Sequence, residues 1–434
     1  MNRQFFVLMH RYVGLVTAIF LVIVGLTGAL ISFFTEIDNY LNRDLVYVAK
    51  PANNAQLVTP YNLRDKVLAI YPDTKITYID LKQAENRAAT FYLEPDINPK
   101  TNKPTTLKYS EIYVNPYTAQ VIGGRNSGDL FAGWHNIMPF IYELHYSLAL
   151  GDIGAYILGF VALFWTIDCF VGAYLTFPTK QRKSADNQLA DSPNRNKPIN
   201  HTKQWFSRWQ KAWKIRWKGG VYKLNFDFHR ASGLWLWAML FIFAWSSVGF
   251  NLSEVYSPVT KFIFAQKNTE DNEIKLAKPL ENPRLNFVQA SEVGKKLMLE
   301  QARLKNFKVL TEQAISYNAV LGTYRYRVKS SRDVSEERGS TSVFFNATTG
   351  DFIKLDLPSG EHAGDTVTTW LFVLHMAKIW GLPMQMFVCL MGLVIVGLSI
   401  TGIYIWLKKR QSRRVYKKIL PNQQNTLNHI QQSM

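Results

Sequence analysis

The sequence predicts a membrane α-helical bundle, four transmembrane helices in two parallel repeats, with two α+β domains outside the membrane. Three observations predict it: four long apolar runs, an uneven spread of basic residues, and a duplication that repeats histidines, glycines and loop motifs at matching offsets.

The apolar runs cover residues 5–34, 154–177, 228–252 and 383–407. Each exceeds the ~20 residues needed to cross ~30 Å of hydrocarbon at ~1.5 Å per residue, so each is expected to span a lipid bilayer. The first follows a short basic start, Met1 to Arg3, but is too long for a secretory leader and lacks its small-residue cleavage site. It reads as an uncleaved signal anchor.

A formal net charge of +18 invites a nucleic-acid reading, so the placement of the charge matters. Residues 178–227 hold Lys180, Arg182, Lys183, Arg195, Lys197, Lys203, Arg208, Lys211, Lys214, Arg216, Lys218 and Lys223 against Asp186, Asp191 and Asp227. The tail, 408–434, adds Lys408, Lys409, Arg410, Arg413, Arg414, Lys417 and Lys418. The two long segments between the runs are near charge balance, so the positive-inside rule puts the basic loop and both termini in the cytoplasm. The charge orients the chain, and no nucleic-acid partner is expected. Cys169 and Cys389 fall inside apolar runs and no Cys-x-x-Cys-His sequence exists, so neither is expected to form a disulfide or hold a covalent cofactor.

The chain is written twice. His10-Arg11-Tyr12-Val13-Gly14-Leu15 returns as His229-Arg230-Ala231-Ser232-Gly233-Leu234. Leu144-His145 returns as Leu374-His375; Gly151 and Gly381 each follow their histidine by six residues, and Gly172 and Gly402 by 27. Soluble segments lie between, one with a helix at Tyr61 to Tyr71 and a hairpin turning at Asn115, the other with a helix at Val288 to Gln301 and a hairpin turning at Asn346. Each copy enters, visits the outside and returns. The copies therefore have parallel topology and a pseudo-twofold axis along the membrane normal, which puts equivalent residues at equal depth.

Four of the eight histidines occupy repeated positions, and an ionisable group inside a membrane is costly enough to be functional by default. A b-type haem with two axial imidazoles needs two histidines facing each other at one depth, and the axis provides that twice. His10 pairs with His229 around an inner haem b, and His145 with His375 around an outer one. Gly381-Leu382-Pro383 predicts a helix break, so the outer histidines are expected on short interfacial helices, 134–150 and 366–379. Arg11 and Arg230 either pair with haem propionates or snorkel to headgroups. Asp168, which has Leu398 as its counterpart, is a candidate for proton uptake or for pairing with Arg11 or Arg230. His135 is a candidate substitute ligand or a surface residue, and His362 a surface residue. Trp205, Trp209, Trp213 and Trp217 recur every fourth residue among basic residues. That pattern describes an amphipathic helix that docks on inner headgroups or receives an electron donor.

The His-Arg-x-x-Gly-Leu starts, the Leu-His pairs and the Asn-led hairpins together resemble the PepSY-associated transmembrane family, which includes bacterial inner-membrane reductases of ferric siderophores. The resemblance covers about residues 5 to 408. It implies PepSY-like periplasmic domains at 35–133 and 253–365, a place in the bacterial inner membrane, and haem within the bundle. It also implies reduction of a ferric siderophore or other periplasmic Fe(III) chelate for iron release. The sequence departs from the family hairpin at Ala119, where the family often has Gly. No Gly-rich dinucleotide fingerprint opens a βαβ unit, so electrons are expected from a quinol or a cytoplasmic reductase. The competing reading is a periplasmic sensor or protease-inhibitory module for which the helices are only an anchor.

Overall fold

The computed structural model describes residues 2–51, 55–98, 100–179, 201–266 and 275–432; Lys180, Arg182, Lys183, Asp186, Asp191, Arg195 and Lys197 of the basic loop lie outside them. The helices are α1 (Arg3–Ile31), α2 (Phe34–Leu41), α3 (Arg43–Val46), α4 (Pro60–Ile70), α5 (Ile137–Ser147), α6 (Gly151–Thr176), α7 (His201–Trp209), α8 (Val221–Trp235), α9 (Trp237–Asn251), α10 (Ser253–Ile263), α11 (Phe287–Leu304), α12 (Ala363–His375) and α13 (Gly381–Gln432). The chain divides into two compact units, one of residues 1–29, 152–253 and 390–434, the other of residues 30–151 and 254–389.

In the first unit, α1, α6 and α13 as far as Arg414 are each long and apolar enough to cross a membrane. The faces they expose are apolar stripes at helical spacing: Phe5, Leu8, Tyr12, Val16, Ile19, Leu26 and Leu30 on α1, and Ile153, Ile157, Phe160, Phe164, Ile167 and Tyr174 on α6. Their buried faces carry small or polar residues such as Thr17, Ala18, Gly25 and Thr166. Large apolar residues outside and small ones inside is the arrangement of a bundle solvated by lipid, where close backbone approach drives helix association. At Gly25, an added Cβ would lie 2.9 Å from the Gly392 carbonyl oxygen, so only glycine permits α1 and α13 to meet there. The residues at the same offsets in the other repeat are Ala244 and Ala162, both buried.

The expected single span at 228–252 is corrected. The helix starts at Val221 and bends by 71° between α8 and α9 at Leu236, and the pair is long and apolar enough to span only when taken together. The Ser232-Gly233 pair lies one turn before the break, and the Ser232 hydroxyl donates to the Phe228 carbonyl at 2.6 Å. A Gly/Ser pair and side-chain capture of a helical carbonyl are both recognised causes of kinks. The tryptophan helix is also corrected. Helix α7 ends at Trp209 and a tighter 3₁₀ turn continues to Trp213. Lys214 is extended, which leaves Trp217 outside the helix and exposed. Trp205, Trp209 and Trp213 touch in sequence, tilted at 5.5 Å and edge-on at 5.3 Å, and the Trp209 indole N–H donates to Thr176 at 3.1 Å.

The second unit holds the strands β1 (Thr74–Lys75), β2 (Tyr78–Asp80), β3 (Ala89–Tyr92), β4 (Glu94–Pro95), β5 (Ile97–Asn98), β6 (Lys103–Pro104), β7 (Glu111–Val114), β8 (Val121–Arg125), β9 (Val309–Asn318), β10 (Thr323–Ser330), β11 (Thr341–Asn346) and β12 (Phe352–Asp356). Each soluble segment follows the helix-then-hairpin plan. Helix α4 opens at Pro60 behind a Thr59 cap, and α11 opens on a reciprocal capping box between Asn286 and Gln289. The first segment packs Leu63 and Val67 of α4 against Phe91, Ile112 and Val114. The second packs Phe287, Ala290 and Met298 of α11 against Tyr324, Tyr326, Val343 and Phe345.

The segments are not separate domains. The antiparallel sheet order β12-β11-β10-β9-β2 places a strand of the first segment on the edge of the second segment's sheet, with Ile79 opposite Ile315 and buried in the second core. Tyr61 donates to Ser291 at 2.6 Å and the Arg64 guanidinium lies 4.5 Å from the Phe287 ring centre. Strand β9 would otherwise offer an open ten-residue edge, and β2 covers part of it.

The two Asn-led turns superimpose in chemistry. The Asn115 carboxamide oxygen accepts from the amides of Tyr117 and Thr118, and that of Asn346 from Thr348 and Thr349. The fifth residue is left-handed in both: Gly350 at φ +80° and Ala119 at φ +58°. A left-handed non-glycine residue costs roughly 1–2 kcal/mol. Ala119→Gly is therefore expected to stabilise the second unit by about 0.5–1 kcal/mol after the added unfolded-state entropy of glycine is subtracted, and Gly350→Ala to destabilise it by a similar amount. Thermal unfolding of the two variants checks the opposite signs.

Candidate functional site

The structure brings the four repeated histidines together in two pairs. His10 and His229, in the first unit, have ring centres 6.1 Å apart with planes at 63°. His145 and His375, in the second, have ring centres 6.4 Å apart with planes at 77°. Each pair takes one ring from each repeat.

Local sequence explains the placement. Helix α5 ends two residues after His145; Leu148 and Ala149 are left-handed, as is Gly151, the first residue of α6. Helix α12 ends at His375; Ala377 and Trp380 are left-handed, as is Gly381, the first residue of α13. The six-residue histidine-to-glycine spacing is thus the length of the left-handed corner. Gly151 and Gly381 take its last left-handed position, where only glycine is free of strain.

Gly172 and Gly402 do a different job. A Cβ on Gly172 would lie 3.4 Å from His10 Cε1, and one on Gly402 would lie 3.3 Å from His229 Cε1. Each glycine lets the imidazole of its own repeat lie against the backbone of the following helix, which is why the 27-residue offset recurs.

The outward-facing nitrogen of each ring in the first pair is fixed. His10 Nδ1 lies 2.9 Å from the Asp168 carboxylate, and His229 Nδ1 lies 3.0 Å from both the Leu398 carbonyl oxygen and Thr401 Oγ1. A carboxylate and a carbonyl only accept, so both rings carry a proton on Nδ1, which leaves Nε2 as the nitrogen able to bind a metal ion. Asp168 and Leu398 are equivalent positions, so one repeat holds its histidine with a side chain and the other with the backbone. The expected pairing of Asp168 with Arg11 or Arg230 is corrected: its partner is His10.

Arg230 is committed elsewhere. It donates to Asp227 at 2.9 Å and to the carbonyls of Lys211 and Ala212, while Arg216 grips the fully buried Asp227 from the other side at 2.6 and 2.9 Å. That network ties the segment after α7 to α8 and occupies the guanidinium that the propionate reading needed. Arg11 is half-buried and forms no ion pair among the described residues.

His135 is tied into a buried polar cluster. Its Nδ1 donates to the Asn42 carboxamide oxygen at 2.6 Å, and its ring stacks on Trp134 at 4.1 Å. Asn42 in turn donates to Asp38, and Arg125 donates to Asp38 and Glu111, both at 2.8 Å, with all three charged residues nearly fully buried. His362 is half-buried at the start of α12, where its carbonyl accepts from Thr366. Thr401 and the Asp38–Arg125–Glu111 cluster were not signalled by the sequence, the former because one hydroxyl in an apolar run is ordinary, the latter because its members are up to 87 residues apart.

Two imidazoles bound through Nε2 to opposite sides of one metal ion place their ring centres ~6.4 Å apart, given a ~2.0 Å metal–nitrogen bond and ~1.2 Å from nitrogen to ring centre. Both pairs match that spacing. Among the described residues no group of three or more His, Cys, Asp or Glu side chains could hold a bare metal ion. The donor set is two imidazoles per site, and a haem, which supplies the other four nitrogens itself, fits it.

A model of the protein family described as "PepSY-associated TM region" matches residues 7–409. A comparison with curated proteins finds no match.

Removing Arg125 would leave two buried carboxylates facing each other without a cation. Arg125→Met is expected to destabilise the second unit by about 3–5 kcal/mol, the usual result of breaking a buried ion pair on one side. Chemical unfolding checks it, and a midpoint equal to the wild type would show the cluster to be more hydrated than its burial implies.

Proposed function

The chain belongs to the PepSY-associated transmembrane family, and from that premise we propose that it is a di-haem reductase of Fe(III) chelates that carries electrons outward across a bacterial inner membrane. His10 and His229 would hold one haem b, and His145 and His375 the other. The observation that carries this reading is that both pairs hold their rings at the separation of two axial ligands on one iron. In this account α8 and α9 together form a fourth span, both termini are cytoplasmic, and the β-sheets are periplasmic. The orientation rests on the basic loop and tail. A ferric siderophore is the proposed acceptor and a quinol or cytoplasmic reductase the proposed donor.

When bound, the haems supply one-electron redox chemistry; the rest is the work of the protein. Gly172 and Gly402 let one edge of each inner imidazole lie close against the neighbouring helix. Asp168, Leu398 and Thr401 hold Nδ1–H and so fix tautomer and orientation. The corners after α5 and α12 end those helices beside their histidines. The lipid-facing stripes of α1 and α6 keep water from the bundle.

Reduced-minus-oxidised spectra test the assignment. His145→Ala is expected to lose one of two haems and leave the other's α-band in place, and a spectrum identical to wild type would overturn the pairing. Asp168→Asn is expected to keep both haems and raise the potential of one by about 40 mV, the one-electron equivalent of about 1 kcal/mol. The sign follows because a carboxylate beside a ligand favours the ferric state, so removing its charge favours the ferrous one. Redox titration of both variants reads this directly. Under the anchor reading neither variant changes any spectrum.

A further inference from the structure

Strand β10 turns Tyr324, Tyr326 and Val328 toward α11, so Arg325 and Arg327 lie on the opposite face of the five-stranded sheet. Pairing brings Tyr78, Ser316, Arg325, Phe344 and Lys354 into one row across β2, β9, β10, β11 and β12. This row exists only because the first repeat contributes β2 to the second repeat's sheet. The Arg325 guanidinium lies 5.4 Å from the Phe344 ring centre and Lys354 Nζ lies 4.7 Å from it. Arg327 donates to the Tyr78 hydroxyl at 2.9 Å, and the Tyr78 ring lies 6.2 Å from that of Tyr92.

The two arginines are half-buried, and neither forms an ion pair among the described residues. Each donates to a neutral oxygen, Ser342 Oγ or Tyr78 Oη. The acids of the neighbouring row, Asp80 and Asp356, stand at its two ends, each two strands or roughly 10 Å from Arg327. Burial, with Arg327 beside it, lowers the Arg325 pKa, because two guanidiniums are held together out of full solvation. Asp356 is the acid that acts on Arg325. Two adjacent arginines beside aromatic rings favour a ligand that is both anionic and aromatic.

We propose that this sheet face binds an anionic Fe(III) chelate with aromatic oxygen donors, Arg325 and Arg327 meeting its charge and Phe344 and Tyr78 its rings. The proposal names the substrate class and rests on the reductase reading above.

The test is equilibrium dialysis of the full-length protein in detergent, without reductant, against the trianionic Fe(III) complex of a tripodal tris-catecholate and the neutral Fe(III) complex of a linear trihydroxamate. The wild type is expected to bind the trianion at least about tenfold more tightly. The double variant Arg325→Gln with Arg327→Gln is expected to lose about tenfold or more of that affinity, the loss of charge-assisted hydrogen bonds, while both arginines as lysine keep the preference for the trianion. Phe344→Leu leaves the charge unchanged and is expected to weaken binding several-fold, so it decides the matter if the double variant does not fold. Equal affinity of the wild type for both complexes, or wild-type affinity in folded variants, overturns the proposal. Chelate binding in a protein without an α-band would sink the reductase and leave this site standing; an α-band without chelate binding would do the reverse.

Discussion

Everything else in the first unit depends on holding an imidazole still at a place where a free one would be costly. His10 and His229 carry polar nitrogens in an apolar bundle, and an unsatisfied donor in such surroundings costs several kcal/mol. The protein meets that cost within each repeat. Nδ1–H is taken up by the helix that follows in the same repeat, through Asp168 in one and the Leu398 carbonyl in the other. The glycine one turn farther along removes the Cβ that would push the ring away. With one nitrogen and one edge held from behind, each ring lies 6.1 Å, centre to centre, from its counterpart in the other repeat.

The repeats have diverged where packing permits it and kept what the pairs require. Histidine position, corner glycine and cradle glycine are the same in both. Helix α1 runs through its His-Arg-x-x-Gly-Leu start without interruption, whereas the second copy bends at Leu236. The close crossing made by Gly25 and Gly392 has alanines at the same offsets. The soluble segments diverged most, since the first lost part of its sheet to the second: β2 pairs with β9, and Tyr61, Arg64 and Ile79 join the second core. A duplicated unit with an exposed strand edge tends to find its copy, because the copy offers matching hydrogen bonds.

Much of this was legible in the sequence because it is periodic or repeated. Apolar runs marked the helices, offsets from His145 and His375 marked the corners and the cradle glycines, and Asn115 and Asn346 marked turns whose carboxamides cap the backbone. The equivalence of Asp168 and Leu398 was also readable, but without coordinates the aspartate suggested an arginine partner when its neighbour was a histidine. What stayed hidden was long-range or local in a way that composition does not report. Strand β2 has three residues and pairs with residues more than 230 positions away. The bend at Leu236 is signalled by only a Ser-Gly pair. The four-residue tryptophan spacing implied one helix through Trp217, yet the backbone turns extended at Lys214. Arg230 and His135 looked available as single letters, and only their partners Asp227 and Asn42 show that they are engaged.

The central claim is that each histidine pair holds one haem. The measurement that tests it most directly is the haem content of the purified wild-type chain by pyridine haemochrome assay, set against protein concentration from amino-acid analysis. The account predicts two haems b per chain. A chain purified from haem-replete cells that carries none would contradict it, and one that carries a single haem would contradict the second pair.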